Sequence, residues 1–274
     1  MAPNVWADKY NIKGHWGYTT STLDWCEENY IVLFYVAEFW NTISNVLLVI
    51  LPLCLIYSYY IQKFAFIHIL AVSSVFTVGI GSVLFHATLL YHMQMMDELP
   101  MLIAASFLVF NMMTITVADG SVWKFIIGLL LSIFCIFAIV VYLVINDPLF
   151  HEACYGILIF LSFIASFGTI FKHELYNCAK LLITGYSIVI VAFILWNVEN
   201  TFCPQVRSVR DKSGYFRPLF ELHAWWHILC GLGTHVIVLS HTKLLLSYRD
   251  IAYEFRYYFG IIPYIQQLSK EKNV

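Results

Sequence analysis

Three histidines lie in stretches that are otherwise apolar. His86 closes the run Gly-Ile-Gly-Ser-Val-Leu-Phe-His, and His223 and His227 sit within Glu-Leu-His-Ala-Trp-Trp-His-Ile. Four residues of α-helix rise about 6 Å and return to the same face, so His223 and His227 can offer two imidazoles to one ion. Ser82 precedes His86 by the same spacing and shares its face, and Asp97 follows in Met-Gln-Met-Met-Asp-Glu. Ionisable groups at membrane depth are costly and mark functional sites. Three imidazoles leave a fourth position open on zinc, the arrangement of catalytic zinc sites. Water on such an ion has its pKa lowered to about 7. Asp97 can orient that water, accept its proton and pass it to a leaving amine, while Ser82 donates to the oxyanion. This chemistry suits hydrolysis of a lipid amide near headgroup level.

The elements that must position these residues are membrane spans. Of 274 residues, 61% are hydrophobic and 12% charged, with a mean hydropathy of +0.76. A soluble domain carries about 25% charged residues, so the chain reads as a membrane protein. A net charge of −2 argues against a nucleic-acid partner. Seven segments reach the roughly 20 apolar residues a spanning helix needs: 31–57, 64–90, 99–118, 122–145, 149–171, 179–198 and 223–247. The breaks carry charge, Gly, Asn-Asp-Pro or Lys, and the longest is 199–222. No internal repeat or low-complexity tract is present. The expected fold is therefore all-α, one seven-transmembrane-helix bundle. No basic start with a short apolar core is visible, so the first apolar segment is expected to act as an uncleaved anchor.

Seven spans put the termini on opposite sides. Nine cationic residues (Lys63, Lys124, Lys172, Lys180, Lys243, Arg249, Arg256, Lys270 and Lys272) fall on the C-terminal side. Six (Lys9, Lys13, Arg207, Arg210, Lys212 and Arg217) fall on the other. The bias favours a cytosolic C-terminus, and the final Lys-Glu-Lys-Asn-Val is similar to a dilysine retrieval signal. The division expected is 1–30 as a lumenal N-terminal segment, 31–247 as the seven-helix catalytic domain and 248–274 as a cytosolic tail. With that topology His86, Asp97, His223 and His227 all come to the non-cytosolic face.

Other polar residues admit plainer readings. His68, His92, His151, His173, His235 and His241 are expected to hydrogen-bond neighbouring helices or to lie in loops, and His15 has no evident role. Cys54, Cys135, Cys154, Cys178 and Cys230 read as small hydrophobes. Cys26 and Cys203 share the non-cytosolic side, where a disulfide is permitted and two free thiols are the alternative. Asp24, Glu27, Glu28, Asn29 and Glu38 offer hard oxygen ligands suited to calcium, though not at EF-hand spacing. Glu28 reads equally as a surface acid. Glu38 can serve calcium or orient a zinc-binding histidine, a role for which Asn197, Glu199 and Asn200 also compete.

Thr-Ser-Thr-Leu-Asp-Trp-Cys-Glu-Glu-Asn-Tyr, Ala-Glu-Phe-Trp-Asn-Thr-Ile-Ser-Asn, Gly-Ser-Val-Leu-Phe-His, Met-Gln-Met-Met-Asp-Glu-Leu-Pro-Met, Trp-Asn-Val-Glu-Asn and Glu-Leu-His-Ala-Trp-Trp-His-Ile-Leu-Cys-Gly-Leu-Gly arrive in order. Together they resemble the alkaline ceramidases, the third, phytoceramidase-type branch above all, from about residue 17 to 260. The resemblance implies a seven-helix amidase of endoplasmic reticulum and Golgi membranes that hydrolyses ceramide to a sphingoid base and a fatty acid; a monomer is the expected state. It implies zinc on His86, His223 and His227, with Ser82 and Asp97 completing the site. It further implies calcium on Asp24, the Trp25 carbonyl, Glu27, Asn29 and Glu38, and a Cys26–Cys203 disulfide.

Two other classes compete. The adiponectin and progestin receptors share the polar elements, but they carry a long cytosolic N-terminal domain and the opposite orientation. A transporter would spread polar residues along the whole bundle axis, whereas here they gather near one face.

Overall fold

The computed structural model describes residues 13–268. Lys9, Lys270, Lys272 and the terminal Lys-Glu-Lys-Asn-Val lie outside the described residues. In chain order the helices are α1 (Phe39–Ser44), α2 (Val46–Ile61), α3 (Phe66–Thr88), α4 (Tyr91–Met113), α5 (Val122–Ile145), α6 (Pro148–Lys172), α7 (Ala179–Lys212) and α8 (Leu222–Tyr248). Strands β1 (Tyr253–Tyr258) and β2 (Ile262–Gln267) follow. With α1 and α2 taken as one segment, Phe39–Ile61, seven helical segments among the described residues are long and apolar enough to cross a membrane.

Local chemistry sets the boundaries. Ser121 caps α5 by accepting from the Trp123 amide, and Asn146 ends that helix in the left-handed conformation, at φ 52°. Asp147 then caps α6 through the Leu149 amide, with Pro148 in its first turn, where a missing N–H costs nothing.

Four expectations are corrected. The first span begins at Phe39, not at 31. The Glu27 carboxylate accepts from the amides of Trp40 and Asn41 at 2.8 and 2.9 Å and so fixes where α1 starts. The apolar residues before it form a loop closed from the Tyr30 amide to the Ala37 carbonyl at 2.7 Å. The third span starts at Tyr91, so Asp97 lies inside α4 rather than ahead of it, and Pro100 is absorbed within that helix. The charged stretch after 198 is no loop, because α7 runs on to Lys212 through a kink at Phe202. Pro204, which removes a helical donor, lies just beyond. Finally, the bundle is helical as expected, but the segment after α8, expected as a plain tail from 248, forms a hairpin. β1 and β2 pair antiparallel from Tyr253↔Gln267 to Tyr258↔Ile262, turning at Gly260, where φ is 76°. Gln62 at the end of α2 holds β2 by donating to the Ile265 carbonyl and accepting from the Gln267 amide.

The bundle closes where glycines let backbones touch, the usual device in lipid. A Cβ on Gly79 would meet the Leu48 carbonyl oxygen at 2.5 Å, and one on Gly81 would meet the Met96 carbonyl oxygen at 2.0 Å. The second contact presses the Ser82 turn of α3 against the Asp97 turn of α4. Gly81→Ala is therefore expected to force α3 and α4 apart and lower stability by about 3 kcal/mol. Thermal unfolding of the detergent-solubilised variant against the unsubstituted protein measures this.

Candidate metal centre

His86 comes from the last turn of α3, His223 and His227 from the first two turns of α8. Their ring centroids lie 5.1, 4.7 and 4.6 Å apart, taken as His86–His223, His86–His227 and His223–His227. One nitrogen from each ring falls within 4.8 Å of the others. All three residues are buried.

The backs of two rings are held. His86 Nδ1 donates to Glu38 Oε2 at 2.5 Å. His227 Nδ1 lies 3.0 Å from the Asn41 carbonyl oxygen and 2.9 Å from Ser44 Oγ. A carbonyl can only accept, so Nδ1 of His227 carries the proton and its Nε2 bears a free lone pair. Carboxylate or carbonyl support of one ring nitrogen is how proteins orient imidazoles toward a metal. His223 stacks on Trp25 at 4.1 Å between ring centroids, and its Nδ1 has no hydrogen-bond partner among the described residues. Three imidazoles with oriented or unpartnered nitrogens suit zinc and leave room for a fourth ligand.

Ser82 is buried one turn before His86. Its side chain lies near that of the half-buried Asp97. Asp97 is not among the side chains whose ligand atoms gather within 4.8 Å. The neighbouring Glu98 takes hydrogen bonds from Tyr142 and, at 3.1 Å, from Gln94. Neither Glu98 nor Tyr142 stood out in the sequence. A lone tyrosine in the apolar run 122–145 was the only signal.

The N-terminal acids form a second buried group. Asp24 Oδ1 accepts from Asn29 Nδ2 at 3.2 Å, and Glu38 Oε1 accepts from the Trp25 amide at 3.1 Å. Burial, with the Glu38 carboxylate nearby, holds the Glu27 carboxyl up at about 8, although the Trp40 and Asn41 amides pull it down. Asn29 Oδ1 is buried without a donor among the described residues. A carboxyl displaced upward by burial and an orphaned acceptor beside further carboxylates are what a hard cation would relieve, so Asp24, Glu27, Asn29 and Glu38 suit calcium. Trp25 lies in the same patch through its amide and ring. Glu38 belongs to both groups at once.

A disulfide joins Cys26 to Cys203 on α7. Glu28 turns away from the acid patch to Arg210 and Arg217, at 3.0 and 2.6 Å. Arg210, wholly buried, also meets Glu199 at 3.4 Å, Glu221 at 2.8 Å and the Cys26 carbonyl at 3.0 Å. Glu199 accepts in addition from the Leu222 amide, so it braces the start of α8 and supports no histidine ring directly. Asn197 hydrogen-bonds the Phe193 carbonyl within its own helix. His151, His235 and His241 bond to the Glu98 carbonyl, the Pro263 carbonyl and the Ser166 hydroxyl, as buried histidines between elements do.

Comparison with known proteins matches residues 17–266 to the family model described as Ceramidase. The match passes residue 260, where the resemblance was expected to end, and takes in most of β2. The chain is 36% identical to Alkaline ceramidase 3 of Mus musculus over the full length of both. It is 28% identical to Alkaline ceramidase YPC1 of Saccharomyces cerevisiae, across 92% of this chain and 86% of the yeast protein. With Putative alkaline ceramidase dcd3B of Dictyostelium discoideum it shares 30% identity, across 81% of this chain and 86% of that one.

Proposed function

The chain belongs to the ceramidase family and is a ceramidase hydrolase embedded in a membrane by seven helices, and from that premise we propose how its residues cleave the amide. His86, His223 and His227 hold a zinc ion. A zinc ion at that position supplies an acidified water and polarises a carbonyl. Asp97 accepts the proton of the attacking water and delivers it to the amine nitrogen as the C–N bond breaks, leaving a free fatty acid and a sphingoid base. The Ser82 hydroxyl donates to the carbonyl oxygen as it becomes tetrahedral. Glu38 keeps the His86 ring turned, and the Trp25 face supports His223. The observation that supports this most is the meeting of three buried imidazoles, two of them tied back through Nδ1.

Asp24, the Trp25 carbonyl, Glu27, Asn29 and Glu38 hold calcium, whose role is structural or regulatory. The histidine centre faces the lumen of the endoplasmic reticulum or Golgi, the C-terminus faces the cytosol, and the protein acts as a monomer. The deciding experiment is fatty-acid release from long-chain ceramide by purified protein at alkaline pH, with zinc analysis of the same sample. Zinc-loaded, folded protein that releases no fatty acid would overturn this reading.

Because Glu38 accepts a hydrogen bond directly from His86 Nδ1, Glu38→Ala is expected to weaken zinc binding about 10- to 100-fold. Competition against a chromogenic chelator reads this, and an unchanged affinity would assign Glu38 to the acid patch alone.

A further inference from the structure

Residues 31–36 read Ile-Val-Leu-Phe-Tyr-Val. They form a loop at the end of the bundle that carries the histidine centre. Ile31, Leu33, Phe34 and Tyr35 are 64%, 47%, 62% and 62% exposed, Val32 is similar, and none of the five packs into the protein core. The loop is held rather than loose. Its roots are pinned by the Tyr30 amide on the Ala37 carbonyl, the Ala37 amide on the Ala87 carbonyl and the Glu38 amide on the His86 carbonyl. A second short turn braces it, with Trp16 Nε1 donating to the Tyr35 carbonyl at 2.8 Å and the His15 ring against Phe34 and Tyr35.

An ordered loop that presents consecutive apolar side chains outward is matched to an apolar partner. We propose that loop 31–36 inserts its side chains into the leaflet bordering the histidine centre. The bilayer is the occupant because the loop runs directly into the span Phe39–Ile61, whose own exposed stripe is Ile43, Val46, Ile50, Leu53 and Tyr57. The same lipid that covers the stripe covers the loop. The seat is interfacial, since a loop's unpaired backbone groups need water or headgroups and do not enter the hydrocarbon. Trp16 and Tyr35 at its rim are the amphipathic rings favoured at that level. Both roots lead to chemistry, one through Asn29 into the acid patch and the other through Glu38 to His86. The inserted loop thereby sets the height at which a membrane-dissolved amide meets the histidines, a consequence that rests on the ceramidase reading.

The test places nitroxide labels at Phe34→Cys and, separately, Tyr35→Cys in the full chain, in phosphatidylcholine nanodiscs, with the unsubstituted protein as background. Leu53→Cys gives the lipid reference and Asp211→Cys the aqueous one. Loop labels relaxed by oxygen over a water-soluble nickel chelate, as at position 53, are the expected result. Relaxation like that at position 211 overturns insertion, and so does shielding from both agents, which would mean contact with a second copy or another protein. In a second arm, Phe34→Asp combined with Tyr35→Asp is expected to lower the activity ratio of bilayer-bound long-chain ceramide to a dispersed short-chain one about tenfold. An unchanged ratio overturns the height-setting role. Should the unsubstituted protein cleave neither substrate, the ceramidase reading fails while the labels still decide insertion.

Discussion

His227→Ala should reduce fatty-acid release from ceramide by about a thousandfold or more, while the protein still extracts and purifies as a folded species. Lewis-acid activation contributes several kcal/mol to such a reaction, and each 1.36 kcal/mol is a factor of ten in rate. His227 lies 4.6 and 4.7 Å, ring to ring, from His223 and His86, so its removal leaves two imidazoles where three converged. The loss also strips Asn41 and Ser44 of a partner and should loosen the junction of α1 with α8. Side-by-side assays at equal protein, with zinc content measured on both, check the expectation. A variant that keeps a tenth of the activity would place the chemistry elsewhere.

Arg210→Ala is expected to cost about 3–5 kcal/mol of stability, the range for breaking a buried ion pair by removing one partner. The guanidinium is wholly buried and touches Glu28, Glu199 and Glu221, so its loss strands carboxylates that were paired. It also releases the Cys26 carbonyl. Glu221 lies two residues before His223, and Cys26 lies next to Trp25, on which His223 stacks. Activity should therefore fall with stability, and Arg210→Lys, which keeps the charge without the planar fork, should recover part of both. Melting temperatures in detergent test this, and a melt within a degree or two of the unsubstituted protein would rule out the clamp.

The histidine centre was legible from sequence because helical spacing carries over directly into space. His223 and His227 share a face wherever α8 begins, and Ser82 and His86 share one wherever α3 begins. The two helices then needed only to meet at the same end. Asp97 drew notice in the sequence, but its position in the fold was misread. Met95 to Pro100 reads as a break, yet α4 begins at Tyr91 and absorbs the proline. Arg210 was hidden by a similar error, since charge and proline after 198 signal a loop and conceal that α7 continues past its kink. Loop 31–36 failed for the converse reason. Hydropathy cannot tell an apolar residue inside a spanning helix from one at its rim, and a capping carboxylate 12 residues before Phe39 decided where the helix starts. The apolar residues of the hairpin are broken by Gly260 and Pro263, and its hold depends on Gln62 and His235, distant in the chain.

The link between Cys26 and Cys203, 177 positions apart in the chain, also bears on the order in which the protein is made. The acid patch leaves the ribosome first, yet Cys203 and Arg210, which fasten it to the bundle, follow only after nearly all the spans. At about 5–20 residues per second that is a delay of roughly 9–35 s. His223 and His227 come later still. A product terminated before Cys203 therefore lacks two of the three imidazoles and the anchor of its first segment together.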